Sequence, residues 1–139
     1  MKQEFFDLIV ETQGKSLVDL RAMIESAITE KTLQTVLLTL WCAHTGASLI
    51  VQATQDPTVE SDLIAFFEEQ VPKDPGKYQH AEGQDDNAPS HLRAALTQTQ
   101  ISLPIQDGIL PLGNTQVISL FEHREKPTRR TLKAHYIGI

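Results

Sequence analysis

Apolar and polar residues in the first part of the chain follow the spacing of a strand and then that of a helix. Residues 5–10 form a short apolar run that predicts a strand, and Gly14 and Lys15 predict the turn after it. Ser16 is a typical N-cap residue, and apolar residues recur behind it at helical spacing. The apolar positions of this first predicted helix are Leu17, Leu20, Met23, Ile24, Ala27 and Ile28.

Two apolar stretches in the middle of the chain predict neighbouring strands. Residues 35–42 are rich in β-branched and large apolar side chains, which is typical of a buried strand, and the strand ends near His44. Residues 47–53 have a similar character and predict its partner. We expect the two strands to be joined by a turn around Thr45 and Gly46.

The second helix has a clear start and a clear end. Asp56 is a capping acid and Pro57 suits the first helical position, whereas Pro72 cannot continue a helix. Residues 73–89 are polar and turn-rich, and a loop of this length is typical of a functional or disordered segment. A short third helix follows, capped by Asn87 or Ser90 and running through Leu96.

The last third of the chain is strand-like. Residues 101–106 and 109–112 flank Asp107-Gly108, a strong signal for a two-residue hairpin turn. Residues 115–121 and 131–137 predict two further strands. The resulting order, β-α-β-β-α-α-β-β-β-β, predicts an α+β fold in which two main helices pack on an antiparallel or mixed β-sheet sandwich. The length of 139 residues fits one domain, residues 1–139.

Charge and composition narrow the classes of function. The net charge of −6 excludes an overall basic surface for nucleic acid. The charged N-terminal segment lacks a signal-peptide core, and no apolar run reaches the ~20 residues of a membrane span. We therefore expect a cytoplasmic protein with neither nucleic acid nor a membrane as partner. The single cysteine, Cys42, excludes an intrachain disulfide, and its apolar surroundings predict a buried, unreactive thiol.

Three histidines from separate segments are the first candidates for chemistry. His44 follows a buried strand, His80 lies in the long polar loop, and His91 lies near the start of the short helix. Three imidazoles can hold zinc and leave one coordination position open, although this spacing matches no metal motif and solvated histidines are the alternative. His123 and His135 stand among charges on late strands, so we expect both at the surface.

The acidic end of the long loop is the second candidate. Residues 82–87 contain Asp85 and Asp86, which could bind Mg²⁺ through oxygen ligands or orient a histidine. A hydrophilic loop with Asn87 as a helix cap explains the same residues equally well. The arginines near the C-terminus, Arg124, Arg129 and Arg130, suit a small anionic ligand, with solvated charge as the alternative.

Taken together, these segments resemble the YjbQ-like family, known as secondary thiamine-phosphate synthases. The matching pieces occur in family order and cover nearly the whole chain. They are His44-Thr45-Gly46-Ala47-Ser48-Leu49, Asp56-Pro57 with Asp62, Tyr78-Gln79-His80, Asp85-Asp86-Asn87-Ala88-Pro89-Ser90-His91, Pro104-Ile105 with Gly108, Leu112-Gly113 with Gln116, Glu122-His123-Arg124, and Arg129-Arg130.

The resemblance implies a YjbQ-like α+β fold, a homotrimer, and a pocket near a subunit boundary lined by His44, His80 and His91. It favours the interpretation of these three histidines as catalytic residues and as ligands of a divalent metal, zinc or magnesium. The implied reaction joins a pyrimidine pyrophosphate to a thiazole phosphate and releases pyrophosphate. Arg129 is then the candidate contact to the leaving pyrophosphate, and Glu122 the residue that holds it. The expected contacts to the phosphorylated substrate are Thr45, Ser48, Asp85, Asp86, Asn87 and Gln116.

The chain also departs from the family pattern. The family usually has Glu-Asn within the stretch Gln52-Ala53-Thr54, and usually an aromatic residue where Thr115 stands. Ser90 replaces a usual alanine. The loss of an acidic group keeps a second hypothesis open, a non-catalytic trimer that binds a metal or an anion without turnover.

Overall fold

The computed structural model of the protein describes residues 1–81 and 85–139, and these ranges contain seven strands and three helices. In chain order they are β1 (Lys2–Thr12), β2 (Ser16–Asp19), α1 (Arg21–Glu30), β3 (Val36–Cys42), β4 (Ala47–Gln52), α2 (Pro57–Gln70), α3 (Asn87–Ala95), β5 (Gln100–Ile105), β6 (Val117–Glu122) and β7 (Thr128–Gly138). The residues 82–84 of the predicted acidic stretch lie outside the described residues.

The strands form two antiparallel sheets. The larger sheet has the order β1-β7-β3-β5, and the smaller sheet has the order β2-β6-β4. Side chains alternate between the two faces of a strand, so β3 buries Leu38, Leu40 and Cys42 while Leu37 and Trp41 stay exposed. One face of the larger sheet therefore supplies the core.

The hydrophobic core lies between the two sheets and α1. Leu132 of β7, Leu120 of β6 and Ile24 of α1 are all fully buried members of one cluster. On the other face of β6, Phe121 packs against Phe67 of α2 with the ring centroids 5.3 Å apart, edge to face. These layers confirm the predicted α+β single domain and its sandwich of sheets with helices packed on it.

The second helix begins and ends as its sequence predicts. The Asp56 side chain accepts a hydrogen bond from the Thr58 backbone N–H, and Pro57 is the first helical residue. After the helix ends, the buried Arg93 of α3 donates two hydrogen bonds to the Val71 carbonyl. Arg93 thus satisfies a carbonyl at the end of α2 and fixes α3 against it.

The predicted start of the first helix is wrong. Residues Ser16–Asp19 form β2, which pairs with β6, and the helix begins only at Arg21. Ser16 donates its hydroxyl to the Gly14 carbonyl and does not cap the helix. Pairing with β6 outweighs the N-cap preference of Ser16, because local propensity is a weak prior against tertiary contacts.

The predicted pairing of residues 47–53 with the preceding strand is also wrong. β4 pairs with β6 of the smaller sheet, with Leu49 opposite Leu120. β3 pairs with β5 and β7 in the larger sheet. Residues 43–46 therefore form a corner that carries the chain from one sheet to the other.

The turn at Asp107-Gly108 is confirmed, but the strand predicted behind it does not form. Both residues have positive φ, 53° and 75°, as this tight turn requires. Pairing stops after a single bridge between Gln106 and Ile109, and Pro111 follows. Proline cannot donate to a ladder, which explains why the second strand is not extended.

The short third helix is confirmed with a different cap. Asn87 is its first residue and Asp86 occupies the N-cap position, so neither Asn87 nor Ser90 is the cap. No helix in the described part of the chain is long and apolar enough to cross a membrane.

Candidate functional site

A polar groove of about 890 Å³ lies at the corner where the chain passes from β3 to β4. His44, Thr45 and Gly46 reach it from the corner itself. Further polar side chains of its lining come from the loop, from α3, from the segment before β5, and from the segments before and within β7: His80, Asn87, His91, Thr99, Arg124 and Arg130. Folding thus brings His44, His80 and His91 to the lining of one groove.

A buried ion pair fixes one wall of this groove. Arg130 donates from Nε to Oε1 of Glu122 over 2.8 Å and from Nη2 to Oε2 over 2.6 Å. Glu122 is fully buried and also accepts hydrogen bonds from the Thr12 hydroxyl and the Arg124 backbone N–H. Because the carboxylate is fully engaged, the Arg130 guanidinium is held in one orientation.

A second arginine is held beside the first. The buried Asp86 accepts from the Arg124 side chain at 3.3 Å and from the Glu125 backbone N–H at 2.6 Å. Arg124 also donates from Nη1 to Oδ1 of Asn87 over 2.7 Å. A Cβ on Gly46 would lie 3.1 Å from Nη2 of Arg130 and 3.2 Å from Cγ of Arg124. The absence of a side chain at position 46 therefore lets both arginines approach the corner.

His44 is held as a neutral ring. Its Nε2 accepts a hydrogen bond from the Thr131 backbone N–H over 2.8 Å, so the proton of the neutral ring lies on Nδ1. Burial, and then the nearby Arg130 charge, lower the pKa of His44 below its usual value. Nη1 of Arg130 lies 3.4 Å from Nδ1.

His80 and His91 lie side by side, with their ring centroids 5.3 Å apart. Because Oδ1 of Asn87 accepts from Arg124, its Nδ2 group donates to Nε2 of His80 over 2.9 Å. His91 donates from Nδ1 to the Thr45 carbonyl over 2.8 Å, which places the lone pair on Nε2 in the neutral ring.

The three imidazoles do not fit a shared metal ion in this arrangement. The Nε2 lone pair of His44 is used by Thr131, and that of His80 by Asn87. Within residues 1–81 and 85–139, no group of three or more His, Cys, Asp or Glu side chains is placed to hold a metal ion. The groove instead presents two fixed guanidinium groups beside neutral or hydrogen-bonded imidazoles, which suits an anion.

Comparison with known proteins agrees with the motifs and the fold. Residues 7–139 match the family model described as UPF0047 protein YjbQ-like. A UPF0047 protein of Synechocystis is 40% identical over 94% of this chain and 89% of its own length. The YjbQ protein of Escherichia coli O157:H7 is 41% identical over 63% of each chain.

The chain belongs to the YjbQ-like UPF0047 family. Solved structures of similar proteins extend the match to the fold. An uncharacterised YjbQ/UPF0047 protein of Clostridium acetobutylicum superposes with a TM-score of 0.85 at 26% identity, covering 95% of this chain and 99% of its own. A conserved hypothetical protein of Thermus thermophilus superposes with a TM-score of 0.82 at 31% identity. The match covers 93% of this chain and 97% of that protein's chain.

The structure corrects the arginine predicted from the family resemblance. Glu122 holds Arg130 and not Arg129, whose side chain is 69% exposed and lies 3.6 Å from Glu11. Neighbouring residues of a strand point to opposite faces, so only one of the two arginines can face Glu122. Arg130 lines the groove, and Arg129 is absent from its lining.

The predicted substrate contacts fall into two groups. Thr45 and Asn87 line the groove, and Asp86 orients Arg124 from behind it. Ser48 is 1% exposed and hydrogen-bonds Nε2 of His123 over 2.8 Å, so it does not reach the groove.

The two remaining predicted contacts lie away from the histidines. Gln116 lines a separate, more apolar groove near β4 and α2, and its side-chain oxygen accepts from the Gly113 backbone N–H. Asp85 is exposed and is not part of the histidine groove lining.

His123 contradicts its predicted surface position. It is 1% exposed, and burial, followed by the charges of Arg93 and Arg130, lowers its pKa to about 3. Its ring packs against Phe121 with the centroids 4.3 Å apart and the planes tilted by 43°. The charged residues next to His123 in the sequence suggested a position at the surface. In the structure, however, His123 directly follows β6, a strand that is covered on both faces. His135 is part-exposed on β7 and hydrogen-bonds Gln3.

Two contributors to the groove had no clear signal in the sequence. Thr12 of β1 hydrogen-bonds Glu122 from the far end of the chain, and Trp41 of β3 lines the groove. Cys42 is buried as predicted, and burial raises the pKa of its thiol.

Proposed function

We propose that this groove binds a small phosphorylated molecule and that the protein acts as a secondary thiamine-phosphate synthase-like enzyme. The observation that carries the proposal is the pair of arginines, Arg124 and Arg130, fixed by buried carboxylates next to three histidines. Guanidinium groups held in advance bind phosphate oxygens without a cost for ordering the side chain at the moment of binding.

In the proposed reaction, a pyrimidine pyrophosphate is joined to a thiazole phosphate and pyrophosphate leaves. Arg130 and Arg124 neutralise the negative charge that develops on the leaving group. Glu122 keeps Arg130 in place, and Thr12 in turn fixes Glu122. The coupling itself releases no proton, so His91 is not needed as a base, and in its neutral form it can accept a hydrogen bond from the substrate at Nε2.

Pyrophosphate binding measured by isothermal titration calorimetry tests the groove. Arg130→Ala should weaken binding by roughly tenfold or more, because a charge-assisted contact is lost. Arg129→Ala is the matched control, with the same charge change one residue away, and should leave the affinity nearly unchanged. Equal losses in the two variants would show that net charge and not the groove binds the anion.

A turnover assay tests the reaction itself. Purified protein with Mg²⁺ should release pyrophosphate from the pyrimidine donor only when the thiazole phosphate is present. Arg130→Ala should abolish this release and Arg129→Ala should preserve it. Intact pyrophosphate binding without any release would favour the alternative, a non-catalytic anion-binding protein. That alternative is supported by the hydrogen bonds that already engage a ring nitrogen of His44, His80 and His91.

Metal binding by the three histidines stays a separate prediction, with zinc or magnesium as the ion. His44 would have to release the Thr131 N–H to make Nε2 available. The prediction expects a stoichiometric ion, measured by plasma mass spectrometry, that is lost in His44→Ala, His80→Ala and His91→Ala and kept in His135→Ala. Wild-type protein that retains no ion after incubation with zinc and dialysis would contradict it.

A further inference from the structure

The contact between His44 and Arg130 brings two hydrogen-bond donors together. Nε2 of His44 accepts from the Thr131 backbone N–H over 2.8 Å, so the hydrogen of the neutral ring lies on Nδ1. The guanidinium of Arg130 carries N–H donors and no acceptor. Nδ1 of His44 and Nη1 of Arg130 are therefore both donors, although they lie only 3.4 Å apart. They cannot hydrogen-bond each other in this tautomer.

Nη1 is the nitrogen of Arg130 that its ion pair leaves available. Nε and Nη2 donate to the two carboxylate oxygens of Glu122 over 2.8 and 2.6 Å. Among residues 1–81 and 85–139, no oxygen accepts a hydrogen bond from Nη1 of Arg130 or from Nδ1 of His44. Both side chains line the groove. Because donors that are partly shielded from water are costly without an acceptor, an oxygen that enters from the groove would stabilise this pair.

We propose that Nδ1 of His44 and Nη1 of Arg130 together bind one oxygen of a phosphoryl group, with His44 acting as a neutral hydrogen-bond donor. This inference rests on the proposed function and adds to it the subsite for that oxygen. An oxygen can lie about 2.8 Å from both nitrogens, which is the usual length of a hydrogen bond to an anion. Arg130 supplies positive charge, and His44 supplies a second, directed donor without adding charge.

The backbone of β7 fixes this tautomer of His44. The ladder between β3 and β7 ends at the pair of Cys42 and Leu132, and Thr131 lies one position beyond it. The His44 ring therefore takes the place of a backbone acceptor for the Thr131 N–H. A base or a zinc ligand would use the lone pair of the ring, which lies on Nε2 and is already engaged there. The donor role and the metal role thus exclude each other at His44.

Nitrogen NMR of the histidine rings tests the donor in the wild-type protein. Long-range nitrogen–proton spectra of isotope-labelled protein at neutral pH distinguish the two neutral tautomers, with each ring assigned through its own Cβ. We expect the hydrogen of His44 on Nδ1, and pyrophosphate should shift the Nδ1 resonance. A hydrogen on Nε2 would overturn the inference. So would an Nδ1 resonance that stays unchanged while calorimetry shows pyrophosphate bound.

His44→Asn and His44→Leu form a matched pair of variants. The two side chains branch at the same carbon and have similar size, and both lack the ring nitrogen that accepts from Thr131. Only asparagine can place an N–H group at the position of Nδ1. In titration calorimetry with pyrophosphate, His44→Asn should keep most of the wild-type affinity, whereas His44→Leu should lose roughly tenfold or more. Equal affinities would overturn the inference. Thermal unfolding followed by circular dichroism confirms that each variant is folded.

A double-mutant cycle tests whether both donors hold the same oxygen. Arg130→Lys keeps the positive charge but lacks Nη1. The loss of affinity caused by His44→Leu should be at least about threefold smaller in the Arg130→Lys background, because residues that share a partner are coupled. Additive losses would show that the two donors hold separate parts of the ligand, which overturns the shared subsite.

Failure of the inference and failure of the proposed function give different results. If wild-type protein does not bind pyrophosphate in the calorimeter, the proposed function is wrong and the inference falls with it. If pyrophosphate binds and Arg130→Ala weakens it, but His44→Asn and His44→Leu bind equally, the groove binds anions as proposed and the inference alone is wrong.

Discussion

At the scale of single residues, the interaction between Glu122 and Arg130 connects the core to the groove. Both side chains are buried, and they come from strands of different sheets. A buried ion pair is weak evidence for stability, because desolvating two charges costs about as much as their attraction returns. The ion pair instead fixes the position of the Arg130 guanidinium. Thr12 and Glu122 leave the Arg130 side chain little freedom, and its Nη1 remains directed toward His44.

His123 predicts a dependence of stability on pH. Its folded pKa of about 3 lies below the usual value of 6.5, so the unfolded chain binds more protons in this range. The contribution of neutral His123 to stability is complete above about pH 6.5 and is lost as the pH falls toward 3. Within this window we expect a loss of up to about 1.4 kcal/mol per pH unit from this residue.

Urea unfolding of wild type and His123→Asn at a series of pH values between neutrality and acid measures this loss. The variant should be less stable at neutral pH, because the packing on Phe121 and the bond to Ser48 change. Its free energy of unfolding should also fall less steeply with decreasing pH than that of the wild type. Parallel curves would mean that His123 titrates normally in the folded protein.

At the scale of elements, the connections between the sheets determine where the functional side chains lie. The corner at residues 43–46 follows a strand of the larger sheet and precedes a strand of the smaller one. A hairpin there would have kept the corner on the edge of one sheet. Because the chain changes sheet, His44 and Gly46 reach the Arg124 and Arg130 side chains instead.

Gly14 makes the corresponding connection between β1 and β2. Its φ is +117°, and a Cβ at this position would lie 2.8 Å from the Glu125 carbonyl oxygen. Gly14→Ala should therefore lower the free energy of unfolding by about 1–3 kcal/mol, through backbone strain and overlap together. The shift of the urea midpoint measures it.

Gly76→Ala is the matched control for this change. The nearest atom to a Cβ at Gly76 is Oδ1 of Asp74 at 3.8 Å, an ordinary contact. The free energy of unfolding of this control should stay within about 0.5 kcal/mol of the wild-type value. If both alanine variants have the same midpoint, the connection between β1 and β2 tolerates a side chain and the argument for Gly14 is wrong.

At the scale of the whole molecule, the homotrimer implied by the family resemblance remains a prediction. β1 and β5 are the edges of the larger sheet, and β2 and β4 are those of the smaller one. Sheet edges expose unpaired backbone groups, and assembly is one way to cover them. Native mass spectrometry at micromolar concentration should give three times the chain mass of 15.5 kDa. A spectrum that contains monomer alone would contradict the prediction.

Much of the fold follows from the sequence because its signals are local. Alternating or continuous apolar runs identified β1, β3, β4, β5, β6 and β7, although the ends of these strands differ by a few residues from the predicted ones. The start and end of α2 were predictable from Asp56, Pro57 and Pro72, because helix capping and proline geometry depend on residues within one turn. The ordered family motifs also identified His44, His80 and His91 as candidate site residues.

Only the tertiary structure decided the features that depend on distant parts of the chain. The partner of β4, the burial of His123 and the choice of Arg130 over Arg129 each depend on which strands and helices pack together. Adjacent arginines on a strand look alike in the sequence, but they point to opposite faces, and only the packing of the two sheets determines which face meets Glu122. Local patterns therefore determined the elements, whereas long-range pairing determined which side chains form the groove.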